Sequence, residues 1–239
     1  MLKKVVFYIV LIALLANFSS TKAQRTRMPN NPNYDLKPYH FGFLLGLNNM
    51  DFTLKNVQEL NTSIDTLYGI EPSPKLGFNV GILANLRLGE YFDLRFTPTL
   101  SFGERNINYF IKFNNTVFSE VNKKIESTYL EFPLELKYKS KRLINSRAYL
   151  IGGAKYILDL ASQAKKKEEN EEIIVKLRRD DIMLSLGVGF DFYLTYFKFA
   201  TELKMSWGMK NLLIYENNVY TDGIERLRNK MLQISFTFE

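Results

Sequence analysis

The sequence predicts an all-β fold: an up-and-down, antiparallel transmembrane β-barrel of eight strands. Three observations carry that expectation. Period-two alternation recurs in about eight segments, the signature of strands with two unlike faces. One face of every segment is free of charge, while the other holds Arg, Lys, Asp and Glu of both signs. Most glycines, Gly42, Gly46, Gly77, Gly81, Gly103, Gly153, Gly187, Gly189 and Gly208, fall with the charges. A soluble sandwich would turn its charged face to water, where glycine gains nothing by clustering. A small membrane barrel inverts the faces, so that lipid meets the apolar exterior and glycines make room in a crowded, charged lumen.

The elements follow in order. Residues 1–23 read as a secretory signal peptide: Lys3 and Lys4 form the charged start, an apolar run extends from Val5 to Ala16, and Thr21-Lys22-Ala23 is an imperfect small-x-small cleavage site. The run is shorter than the ~20 residues a spanning helix needs. Residues 24–38 (QRTRMPNNPNYDLKP) are polar and Pro-rich and are expected to be a flexible periplasmic lead-in. Residues 39–239 are the barrel.

Its first segment sets Phe41, Phe43, Leu45 and Leu47 against Gly42, Leu44, Gly46 and Asn48. The second sets Leu76, Phe78, Val80, Ile82, Ala84, Leu86 and Leu88 against Asn79 and Arg87, and the third sets Phe92, Leu94 and Phe96 against Asp93 and Arg95. The fourth sets Leu130, Phe132, Leu134, Leu136 and Tyr138 against Glu131, Glu135 and Lys137; the fifth opposes Leu150, Ala154, Tyr156 and Leu158 to Lys155 and Asp159. The sixth opposes Ile182, Leu184, Leu186 and Val188 to Asp181 and Asp191, and the seventh opposes Phe197, Phe199, Leu203 and Met205 to Lys198, Glu202 and Lys204. The last is MLQISFTFE. Pro98 and Pro133 lie inside strands, where each removes a ladder bond, and bulges or a wet lumen beside them are expected.

Connections alternate long and short, as in barrels with short periplasmic turns and long outer loops. An even strand number puts both termini in the periplasm. Tyr149 and Tyr193 are expected in an aromatic belt at the periplasmic ends, and Tyr109, Tyr129 and Trp207 near the outer ends. The run KKKEENEE at 165–172 reads as a solvated loop tip.

Arg87, Asp93, Arg95, Glu131, Glu135, Lys137, Lys155, Asp159, Asp191, Lys198, Glu202 and Lys204 should form a lumenal charge network, with pairs such as Arg95 to Glu131 or Glu135. Eight strands leave a lumen that side chains fill. The turn YKSKRLINSR concentrates Lys139, Lys141, Arg142 and Arg147. It reads either as a docking patch for an acidic periplasmic partner or as a contact for lipid headgroups.

Composition excludes several classes. With no Cys there is no disulfide framework, thiolate metal site, Cys nucleophile or lipid-bearing Cys. A single His argues against a His-cluster metal site or a His-based dyad, so no enzyme, cofactor or metal is expected. Without Lys3, Lys4 and Lys22 the formal charge falls from +7 to +4, too little for a nucleic-acid binder.

The stretches PYHFGFLLGLNNMDF, SFGER, STYLEFPLELKYKSKR, YLIGGAKYILDLAS, GVGFDFYLTYFKFATELKMSWG and SFTFE, in this order over residues 39–239, resemble the PorT (SprT) family of the Bacteroidetes. The resemblance implies an outer-membrane barrel required for the type IX secretion system, which exports proteases, surface proteins and gliding-motility adhesins. It implies other secretion components and outer-membrane lipid as partners, and no catalytic residue. The alternatives are a small barrel acting as adhesin, solute channel or lipid-modifying enzyme, the last with His40 as the available base.

Overall fold

Alternation of apolar and polar residues gives strands, and the described residues form one closed ring of them. The computed structural model describes residues 28–56, 66–113, 117–162, 176–215 and 223–239. The signal peptide, residues 24–27 of the lead-in and the run at 165–172 lie outside them. Nine strands are described: β1 Tyr39–Asn56, β2 Thr66–Arg87, β3 Phe92–Phe96, β4 Thr99–Phe113, β5 Val117–Lys139, β6 Ser146–Asp159, β7 Asp180–Tyr193, β8 Lys198–Gly208 and β9 Ile224–Phe238. All pair antiparallel, and β1 closes the ring by pairing with both β2 (Gly46 opposite Asn79) and β9 (Gly46 opposite Ser235).

β3 and β4 are two halves of one wall, so the barrel has eight. Pro98 has no N–H to donate and the ladder lapses at Thr97-Pro98. The register nevertheless runs straight through, from Phe96 opposite Leu134 to Thr99 opposite Glu131, and the Pro98 carbonyl accepts from Ile82 N at 3.0 Å. Pro133 likewise stays in register opposite Lys155. The bulges expected at these two prolines are therefore absent. The register shifts in β2 instead, between Leu67 and Gly69 and between Pro74 and Phe78.

The apolar faces point outward. Phe41, Leu76, Ile82, Leu134, Leu186 and Phe190 are all exposed, while the charged faces are buried. This is a bilayer-facing exterior around a polar interior. Tyr39, Phe92, Tyr138 and Tyr196 ring the exterior at the end that carries both termini, and Trp207 lies toward the other end. Tyr149, Tyr193, Tyr109 and Tyr129, expected in the belts, are instead buried inside. Tyr149 shares parity with Ile151 and Lys155, which point inward.

Strands β2, β4 and β5 run further than alternation suggests. Past Gly103 the β4–β5 ribbon stays paired to Phe113 opposite Val117, so both strands reach well beyond their alternating segments. Beyond the bilayer no solvent requires one face to be apolar, and the pattern that marks a strand fades.

A closed barrel resists detergent. The folded protein is expected to migrate faster unboiled than boiled on a detergent gel, and equal mobility in both lanes would count against closure.

Candidate functional site: the filled lumen and its plugged mouth

Long side chains from all walls meet inside the barrel. Glu202 takes Arg95 Nη1 at 3.0 Å, Lys204 Nζ at 2.9 Å and the Tyr149 hydroxyl at 2.9 Å. Lys204 also reaches Glu135 at 2.8 Å, and Lys155 pairs with Glu131 at 2.8 Å. Lys137 pairs with Asp191 at 2.7 Å beneath the Tyr149 ring, and Lys139 pairs with Asp93 at 2.5 Å. Such pairs hold only when further hydrogen bonds complete them, because burial costs each charge several kcal/mol. Ser101 to Glu131 and Ser185 to Glu135 are of that kind.

Some residues of the expected network lie elsewhere. Arg95 does not bond Glu131 or Glu135, although Glu135 is its strand neighbour; it crosses to Glu202 and to Glu239. Its guanidinium is long enough to reach the far wall of so narrow a lumen, and the nearer glutamates are engaged by lysines. Arg87 sits at the rim and bonds the Gly89 and Asp35 carbonyls. Asp159 accepts from Ser127 and from the amides of Thr128 and Ala161.

Further lumenal charges lie outside the expected set. The Glu239 side chain is buried against Lys198 (2.7 Å) and Arg95 (3.3 Å). Its parity with Ser235 and Thr237 is the signal that places it inside. Arg105 bonds Asn229 and Ser127 and lies over the Phe52 ring at 4.2 Å. It falls where β4 outruns the visible alternation. Asp181 is buried and accepts from Asn229 at 2.9 Å; its parity on the charged face of its segment is the signal that places it inside.

Glycines do make room here. A Cβ on Gly189 would fall 2.3 Å from Tyr149 Cζ, and one on Gly103 would fall 2.7 Å from Met50 Sδ. The void left amid Asn79, Thr97, Thr99, Glu131 and Lys204 is about 10 Å³, space for at most one water. Asn79 Oδ1 and Thr97 Oγ1 are buried there without a protein partner.

Among the described residues, side chains pack into both ends. At the end away from the termini, Phe52, Ile70, Ile107, Leu177, Leu212 and Leu227 form an apolar cluster. At the terminal mouth, residues 28–38 fold back as a plug, so this part of the lead-in is not a free tether. Tyr34–Leu36 is a single 3₁₀ turn. Asn30 and Asn31 donate to the Tyr193 and Leu194 carbonyls. The Tyr34 hydroxyl donates to Glu239 at 2.9 Å; burial first, and then the Glu239 carboxylate, push that hydroxyl far above its usual range. Asp35 accepts from Arg147 at 2.9 Å and from the Tyr193 hydroxyl at 3.1 Å, with Arg142 at 3.7 Å.

The basic turn is therefore not one open patch. Lys139 and Arg147 have the inward parity of β5 and β6 and are buried in the mouth. Arg142 lies over the Tyr193 ring at 3.7 Å and bonds the plug carbonyls of Asn30 and Asn31. Lys141 remains exposed. His40 stacks on Tyr34 at 4.0 Å, with Nε2 2.9 Å from the Tyr34 carbonyl and Nδ1 buried without a partner. Among the described residues, neither ring nitrogen has a hydroxyl partner.

Burial alone would raise the Asp35 carboxyl, but Arg147, the Tyr193 hydroxyl and Lys139 outweigh it and hold its pKa below the ordinary 3.8. A carboxyl depressed on folding contributes stability that is constant above its unfolded value and is lost as pH falls through the lower folded one. Hydrogen exchange in residues 28–38 should therefore carry an acid step below about pH 4, after correction for intrinsic rates. Asp35→Asn should raise it several-fold at pH 7 and abolish the acid step. An acid step that persists in the variant would assign it to another group.

The family model for an outer membrane protein β-barrel domain matches residues 22–213. No curated protein matches the sequence. Among solved structures, the chain is similar to Neisserial surface protein A (14% identity, 84% of this chain and 98% of that one, TM-score 0.42). It is also similar to OprG from Pseudomonas aeruginosa (13%, 82% and 94%, TM-score 0.39) and to AlkL in lipid bilayers (10%, 92% and 96%, TM-score 0.38).

Proposed function

The chain belongs to the outer membrane protein β-barrel domain family, and from that premise we propose that it is a non-catalytic outer-membrane component of the type IX secretion system, acting through partners rather than as a conduit. The observation that carries this reading is the filled lumen: ion pairs occupy its centre, an apolar cluster one end and the plug the other. Among the described residues, the void amid the central ion pairs is about 10 Å³, too small for a folded cargo or a solute. What remains for function is the surface of the two ends. The resemblance to the PorT family across residues 39–239 supplies the secretion role. Both termini then lie in the periplasm, and the plug and basic turn face the secretion machinery there.

A deletion strain tests it. Loss of type IX cargo secretion, restored by the wild-type gene, is the expected result; intact secretion would overturn the reading. His40→Phe keeps the stack on Tyr34 and removes both ring nitrogens. It should restore secretion to within twofold of wild type at equal outer-membrane levels. Secretion lost in that variant would sink the non-catalytic part.

A further inference from the structure

Beside the plug the terminal mouth holds a cavity of about 260 Å³ walled by five cations, Arg87, Lys139, Lys141, Arg142 and Arg147, against two acids, Asp35 and Glu90. At roughly 30 Å³ per water it has room for about eight waters, or for a group of several oxygens. Its cations exceed the charge of its acids even with Asp35 drawn in by Arg147. Arg147 is more than nine-tenths buried, yet its Nε is left without a partner. A buried guanidinium N–H without an acceptor is costly, and planar N–H arrays on arginine suit phosphate oxygens.

The cavity's position says where the phosphate comes from. Phe92 on β3 and Tyr138 on β5, their rings 5.2 Å apart, mark the lipid-facing side of the wall whose end carries Tyr91 and Lys139 of the cavity. Leu143 is 74% exposed on the turn that supplies Lys141 and Arg142. Aromatic rings and an apolar tip next to basic side chains mark the headgroup layer of a bilayer. We infer that this cavity is a binding site for the phosphate of an anionic phospholipid headgroup, with Arg147 and Arg87 at its floor and Lys141 at its entrance.

The inference rests on the bilayer placement of the barrel and not on the secretion role, so failure of one leaves the other standing. The test uses the full barrel in dodecyl maltoside micelles, with lipid binding counted by native mass spectrometry. Dihexanoyl-phosphatidylglycerol should bind as one molecule per barrel, at least tenfold more tightly than dihexanoyl-phosphatidylcholine. Arg87→Gln with Arg147→Gln should weaken it at least tenfold. Those changes also touch the plug, so Lys141→Gln, on an exposed side chain, provides the second reading and should weaken binding about threefold. Lys124→Gln removes the same charge from an exposed site on the far β4–β5 ribbon and should leave binding within twofold. Equal losses in Lys124→Gln and Lys141→Gln would reduce the effect to net charge and overturn the site. Inorganic phosphate binding as tightly as the lipid would overturn the lipid assignment in favour of a free oxyanion. A polyglutamate peptide that binds while phosphatidylglycerol does not would overturn it in favour of an acidic protein segment.

Discussion

Leu186→Arg, and separately Leu134→Arg, is expected to abolish accumulation of the protein in the outer membrane. Both side chains are more than half exposed although large and apolar, and each lies near the middle of its strand, β7 or the barrel part of β5. A guanidinium there meets hydrocarbon. The cost for Arg or Lys at the midplane of a barrel is about 2–4 kcal/mol, falling to about 0–1 kcal/mol near the interfaces. Leu88→Arg, in the turn at the terminal end where Leu88 N bonds the Phe92 carbonyl, should therefore be tolerated. The measurement is the amount of heat-modifiable barrel in the outer-membrane fraction. Were the midplane variants to insert normally and Leu88→Arg to fail, the depth of the bilayer along the strands would be wrong. Were all three neutral, the exterior would not face lipid at all.

The exterior was legible in the sequence because lipid imposes one rule on every outward residue. From Leu130 to Tyr138 each second side chain must be apolar, and parity alone places Glu131, Glu135 and Lys137 inside. The same parity places Glu239 and puts Tyr149 in the lumen. Ion-pair partners were not legible, because a lumenal side chain chooses among all walls. Arg95 and Glu202 are 107 residues apart on strands that do not touch, whereas register suggests Glu135. The plug was hidden for a different reason. Asn30 to Leu36 has no period, and its bonds to Tyr193 and Arg147 span more than 110 residues. Its composition speaks of a flexible segment, and only the mouth it fills makes it ordered.

The lumen offers the sharpest energetic expectation. Lys137 and Asp191 are fully buried, with Nζ at 2.7 and 2.8 Å from the two carboxylate oxygens and 3.7 Å from the centre of the Tyr149 ring. Removing one partner leaves a charge with neither water nor counter-ion. Asp191→Leu alone should therefore destabilise the barrel by about 3–5 kcal/mol, read from urea unfolding in micelles. Lys137→Met alone leaves the Asp191 carboxylate stranded and should cost a similar amount. The double variant removes both charges and fills the space with apolar atoms of similar length. It should recover most of the loss, since replacing a whole buried pair by hydrophobic side chains is often neutral or stabilising. The coupling between the two sites would then be as large as either single effect. Losses that simply add in the double variant would mean that the two groups do not act as a pair, and that the lumen is wetter than a void of about 10 Å³ allows. A double variant as stable as wild type but defective in secretion would separate the two roles of this interior: the charges would then serve the function of the mouth above them, and the fold would stand without them.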